Sequence, residues 1–187
     1  MSEKFTKQEL QVLQSLVGQR ISFVGGPNLT DFMVSSQVIV VAQNTSVSVK
    51  AVDEIYDFTG ESDDYVSLRV SKAKESDFTL SKERNFVYKL HANELILDVQ
   101  IVSEKITSRR GLQEIWSFES DVSIIFICEK GALAITLEDH HMSIVRVSSS
   151  DELQSLAIPE TMSLFEDSLL ETFSVTRETR SVSELMA

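Results

Sequence analysis

Four adjacent side chains, Glu138-Asp139-His140-His141, are the densest run of metal-competent groups in the chain. Imidazole nitrogens and carboxylate oxygens suit a divalent transition metal, and water held on such an ion becomes a nucleophile for hydrolysis. Neighbouring residues on a strand point to opposite faces, so consecutive positions converge on one ion only at a turn. A third ligand would then have to arrive from elsewhere, and His91 is the one remaining histidine. The run therefore reads as a solvated hairpin turn, with neither a metal nor a cofactor expected.

Arg109-Arg110-Gly111, with Lys105, forms the one basic patch, and Trp116 follows six residues later. Arg and Trp are enriched among the residues that dominate protein interfaces, so this group is a candidate partner anchor, set against packing of Trp116 on a sheet. Glu160, Glu166, Asp167 and Glu171 could form an acidic docking face, or the solvated side of a helix. Cys128 is the only cysteine and lies in the apolar run Ile124-Ile125-Phe126-Ile127-Cys128, which reads as a small buried hydrophobe. Gly25-Gly26-Pro27-Asn28 lacks the fixed pattern and following helix of a phosphate loop and reads as a structural turn. Paired-cysteine metal sites, a nucleophile elbow and HExxH are absent from the sequence, so no catalytic residues are assigned and the expectation is a protein that is not an enzyme.

The net charge of -12 is unevenly placed: residues 1–110 hold 15 acids against 13 bases, and residues 111–187 hold 14 against 4. Such a field disfavours nucleic acid and anionic membrane, because phosphate contacts need clustered Lys and Arg, and it favours a basic protein partner. The polar N-terminus shows no export signal, and the longest apolar runs are far short of the roughly 20 residues that cross a bilayer. A cytoplasmic protein is expected, with homo-oligomerisation left open.

These side chains need a scaffold, and the spacing of apolar residues supplies one. Thr6-Lys7-Gln8-Glu9 has capping-box spacing, which predicts a helix through Leu10, Leu13 and Leu16 or Val17 that stops at Gly18. Arg20 to Val24 then reads as a strand, and from Asp31 the chain becomes β in character. Val38 to Ala42 is apolar on both faces and predicts a central strand; Val47 to Val52, Val66 to Val70, Phe86 to Leu90 and Glu94 to Val102 add further strands. Gly60-Glu61-Ser62-Asp63-Asp64 reads as an acidic turn. Val122 to Cys128, Ala132 to Leu137 and Met142 to Val147 predict a three-stranded meander. Ser149-Ser150-Asp151-Glu152 again has capping-box spacing, and Met162, Phe165, Leu169 and Phe173 share one helical face.

The expected fold is α+β: a mainly antiparallel sheet, sandwich or half-barrel, with an N-terminal helix and C-terminal helices. It occupies a single domain over residues 1–173, with pseudo-repeats at 18–90 and 91–148 and a flexible tail at 174–187. The pseudo-repeats rest on Val38, Val40, Val47 and Val49 sharing the spacing of Ile124, Phe126, Leu133 and Ile135. The expected function is non-catalytic binding that regulates or inhibits a basic protein, as immunity proteins do. The alternative is a small-molecule module with an apolar pocket in a curved sheet lined by the Val38 and Ile124 strands.

Overall fold

The computed structural model describes residues 2–27, 29, 33–58, 61–74, 77, 85–140, 142–156, 158 and 171–187. In chain order these form β1 (Ser2–Glu3), α1 (Lys7–Gln14), β2 (Ile21–Pro27), β3 (Val34–Ser35), β4 (Gln37–Ala42), β5 (Ser46–Phe58) and β6 (Glu61–Lys72). There follow β7 (Asn85–Tyr88), β8 (Ile96–Arg110), β9 (Gln113–Cys128), β10 (Gly131–Asp139), β11 (Met142–Ser150), β12 (Thr172–Ser181) and α2 (Val182–Met186). The protein is mostly antiparallel β-sheet with few helices, and the one parallel pairing among the described strands is β1 on β9.

The strands make two sheets, one ordered β6-β5-β4-β2-β7 and one ordered β12-β8-β9-β10-β11-β3, with β1 joining the second at β9. The apolar faces of both sheets meet in one core: Val38, Val40, Val47, Val49, Val66 and Leu68 from the first, Ile101, Ile124, Phe126, Leu133, Ile135 and Val145 from the second. Burial of this area is the main favourable term in the fold, at roughly 25 cal/mol per Å². Leu10 and Leu13 close the core from α1, Leu16 from the turn after it, and Val182 from α2. A smaller cluster of Val102, Val122, Ile125, Ala132 and Ala134 lies apart from it, with Leu156 and Ile158 packed against it. Strand β9 thus has apolar groups in both clusters, which is why its last five residues, Ile124 to Cys128, are a continuous hydrophobic run. No helix among the described residues is long and apolar enough to cross a membrane.

Local signals govern the first helix. Thr6 Oγ1 accepts from the Glu9 amide while Glu9 Oε2 accepts from the Thr6 amide at 2.8 Å, and Gly18 takes φ +79° where the turn ends. The hairpins proposed as equivalent carry matching pairs, Val38↔Val49 and Val40↔Val47 in one sheet, Ile124↔Ile135 and Phe126↔Leu133 in the other.

Elsewhere the long-range pairing overrides local signals. Gly25, Gly26 and Pro27 end β2, paired to Val87, Phe86 and Asn85 of β7, and the expected turn lies at the strand's very end, where the Leu29 amide donates to the Gly26 carbonyl at 3.3 Å; Asn28 lies outside the described residues. A Cβ on Gly26 would stand 2.2 Å from the Gln37 carbonyl oxygen, so close backbone approach fixes glycine there. The acidic residues Glu61 to Asp64 likewise form strand, paired with β5. Ser149 and Ser150 pair with Leu133 and Ala132 of β10, which consumes the expected capping box; a 3-10 turn, Leu153–Ser155, follows without a side-chain cap.

The segment 174–187, expected as a flexible tail, is instead β12 and α2. Ten consecutive pairs join β12 to β8, and Ser181 and Glu184 form a second capping box. The expected helix through Met162, Phe165 and Leu169 falls outside the described residues, whereas Phe173 belongs to β12.

Candidate functional site: the end of the β8–β9–β12 ribbon

Strands β8 and β9 are the longest in the protein, and they are joined by the two-residue turn Gly111-Leu112. Gly111 has φ +61°, the positive angle that the first position of a II′ hairpin turn requires, and Arg110 pairs with Gln113. The turn leaves Leu112 wholly exposed, at 103% relative area.

Behind the tip, Ser108 is the hinge of a cross-strand row: it pairs with Trp116 of β9 on one side and Phe173 of β12 on the other. Its side chain is small, and the two rings flank it with centroids 6.0 Å apart at 53°. Both aromatics are half-buried. The Ser108 hydroxyl donates to Glu171 Oε2 at 3.1 Å, and Arg110 Nη2 reaches Glu171 Oε1 at 3.2 Å. Alternation along β8 puts Arg109 on the opposite face, exposed and in register with Glu114.

Four of the seven expected partner-binding residues, Arg109, Arg110, Trp116 and Glu171, are therefore brought to one end of one three-stranded ribbon. Glu171 contributes as the ion-pair partner of Arg110, just before β12 rather than on a helix. Glu160, Glu166 and Asp167 lie outside the described residues. Lys105 does not join the group, being about 13 Å back along β8 from Arg109 at the usual rise per residue. Leu112 and Phe173 were missed by sequence reasoning. A hydrophobe beside glycine between two long β-runs was the available signal for Leu112; nothing local marked Phe173 as strand.

The Glu138-Asp139-His140-His141 run is different in kind. His140 is not solvated: its side chain is fully buried and its Nε2 lies 3.4 Å from Glu104 Oε2, which is also fully buried. Arg177 Nε donates to the other oxygen of Glu104. The His140 ring stacks on Tyr65 at 4.6 Å and 24°, and the Tyr65 hydroxyl lies 3.3 Å from Ser120 Oγ. Burial raises the pKa of the Tyr65 phenol above its ordinary range. This polar layer cross-links β6, β8, β9, β12 and the β10–β11 turn; Glu104 and His140 are fully enclosed in it, while Arg177 closes it from the surface. His141 lies outside the described residues.

Val38, Val40, Ile124 and Phe126 are all fully buried in the shared core. An open groove of about 940 Å³ does exist, between α1 and β6, lined by residues that include Thr6, Gln8, Gln11, Arg69 and Lys72. Comparison with known proteins finds no family model, no curated protein and no solved structure that matches this chain.

Proposed function

We propose that this chain is a non-catalytic module that binds, and thereby regulates or inhibits, a basic protein partner through the end of the β8–β9–β12 ribbon. The observation that carries the reading is the full exposure of Leu112 on a tight turn, backed by the Trp116–Phe173 pair and flanked by Arg109 and Arg110. Other large exposed hydrophobics, such as Ile55 and Leu97, are normal as single surface residues, but this one sits with the residue types that dominate interfaces. The scaffold is read as a β-sandwich, since strands of both sheets share a core. A sandwich holds the ribbon rigidly, so little conformational entropy is lost on docking.

Charge supports the choice of partner. The ribbon end itself carries Arg109 and Arg110 against Glu114 and Glu171, so it is locally balanced, while the whole chain carries -12. Long-range attraction of a basic protein and short-range anchoring by Leu112, Trp116 and Arg109 are thus separate contributions. A cytoplasmic setting fits the single buried cysteine. The test is affinity capture from native cells with the wild-type chain and with Leu112→Asp, read by mass spectrometry. A basic protein recovered by the wild type and lost in the folded variant supports the reading; equal recovery by both overturns it.

A further inference from the structure

A second constellation sits on the other side of the molecule, where the connection between β7 and β8 meets the ends of β9 and β11. His91, Glu94 and Cys128 each direct one ligand-type atom to a common point, with those atoms all within 4.8 Å of one another. We propose that these three residues bind a divalent transition metal of the zinc class.

Two of the three ligands already stand at the spacing an ion demands, and the Cys128 sulfur lies within 4.8 Å of both. His91 Nδ1 and Glu94 Oε2 are 3.2 Å apart. Two ligands on a tetrahedral zinc, at about 2.0–2.2 Å each, stand roughly 3.4 Å apart, so the pair is already at ligand spacing. Sulfur, imidazole and carboxylate together select a borderline ion over calcium or magnesium, which prefer oxygen alone. Glu94 and a Cys128 thiolate would carry two negative charges, which a divalent ion neutralises. That balance matters because the His91 side chain is only 4% exposed and that of Glu94 only 19%.

Supporting contacts orient the ligands. His91 Nε2 is 3.0 Å from Ser149 Oγ, the outer partner that a metal-bound imidazole ordinarily has on its second nitrogen. The Lys130 amide donates to Glu94 Oε2 at 3.1 Å. Glu129 Oε2 accepts from the Leu95 amide at 3.2 Å and from Arg20 at 3.1 Å, which ties the turn after Cys128 to the segment carrying Glu94. The backbone is held out of its ordinary range at the same place: His91 has φ 49° and Asn93 φ 69°, positive values that non-glycine residues seldom adopt. Three protein ligands leave the fourth tetrahedral position open to water or to a further ligand.

Cobalt(II) provides the probe, since it takes zinc geometry and absorbs. The full chain, stripped with chelator and titrated with Co2+, should saturate at one equivalent with a tetrahedral visible spectrum and a near-ultraviolet thiolate-to-cobalt band, both bleached by Zn2+. Cys128→Ser should lose the thiolate band, and Glu94→Gln and His91→Asn should each weaken binding by roughly tenfold or more. Zn2+ should also raise the melting temperature of the wild type, because binding to the native state alone stabilises it. Absence of both the thiolate band and the melting shift overturns the site, and so does a band that persists in Cys128→Ser. If that variant does not fold, Glu94→Gln decides, and an unweakened titration there is equally fatal.

Discussion

His140 and Asp121 illustrate how single side chains in the polar layers set stability. Replacing His140 with Ala removes a buried ring stacked on Tyr65 and one neighbour of the buried Glu104, and leaves a cavity. The expected loss is about 2–4 kcal/mol, from the cavity together with the weakened polar contact, measured by denaturant unfolding. A loss below about 0.5 kcal/mol would restore the solvated-turn reading. Asp121 accepts from the Phe5 amide and the Ser103 hydroxyl, each at 2.6 Å, but burial dominates and holds its pKa above the ordinary 3.8. A raised folded-state value means that the native protein binds this proton more tightly than the unfolded chain. The contribution of Asp121 is therefore fully present below pH 3.8 and is lost as pH rises through the folded value. The stability difference between wild type and Asp121→Asn should fall with rising pH across that window; a rising or flat difference contradicts the assignment. None of this burial was legible in the sequence, because a run such as Glu138-Asp139-His140-His141 looks solvated until strands from elsewhere cover it. Residue type put Arg109, Arg110 and Trp116 forward as candidate anchors, and what the fold adds is the register that gathers them at one end of the ribbon.

Elements divide by how far their determinants reach along the chain. Helix α1 was readable because capping box, apolar stripe and Gly18 stop are all local. Strand β12 was not: Thr172 to Ser181 has no clean apolar alternation, and what defines it is its ten-pair register with β8. Deleting residues 174–187 should accordingly expose the β8 edge, remove Val182 from the core and abolish cooperative unfolding, as followed by circular dichroism. A truncated chain that unfolds like the wild type would return this segment to the status of a tail. The glycines make the same point in miniature. Gly18→Ala meets nothing within 4 Å and strains only φ, costing about 1 kcal/mol, whereas Gly26→Ala drives a Cβ into the Gln37 carbonyl and should cost several times more. Equal losses in thermal unfolding would show that Gly26 can relax. The turn expected at Gly25-Gly26-Pro27-Asn28 is displaced to the bond from the Leu29 amide to the Gly26 carbonyl for this reason: Gly25 and Gly26 serve strand pairing first, and local statistics cannot separate the two uses.

At the scale of the molecule, charge and shape act on different parts of binding. On the proposed reading, a net charge of -12, acting over a Debye length of about 8 Å at physiological salt, would govern encounter with a basic partner, and the ribbon end would govern retention. The sequence marks Leu112 only as a hydrophobe beside a turn glycine; its full exposure is a property of the folded whole. The most direct measurement is binding kinetics between the captured partner and immobilised chain across a salt series, for the wild type, Leu112→Asp and Arg109→Glu. The account predicts that the wild-type association rate falls steeply between low and physiological salt, while Leu112→Asp dissociates at least about tenfold faster with its melting temperature unchanged. Arg109→Glu should also dissociate faster. Rates indifferent to salt and to both substitutions, in variants that remain folded, would contradict the claim that this ribbon end is a docking surface for a basic protein.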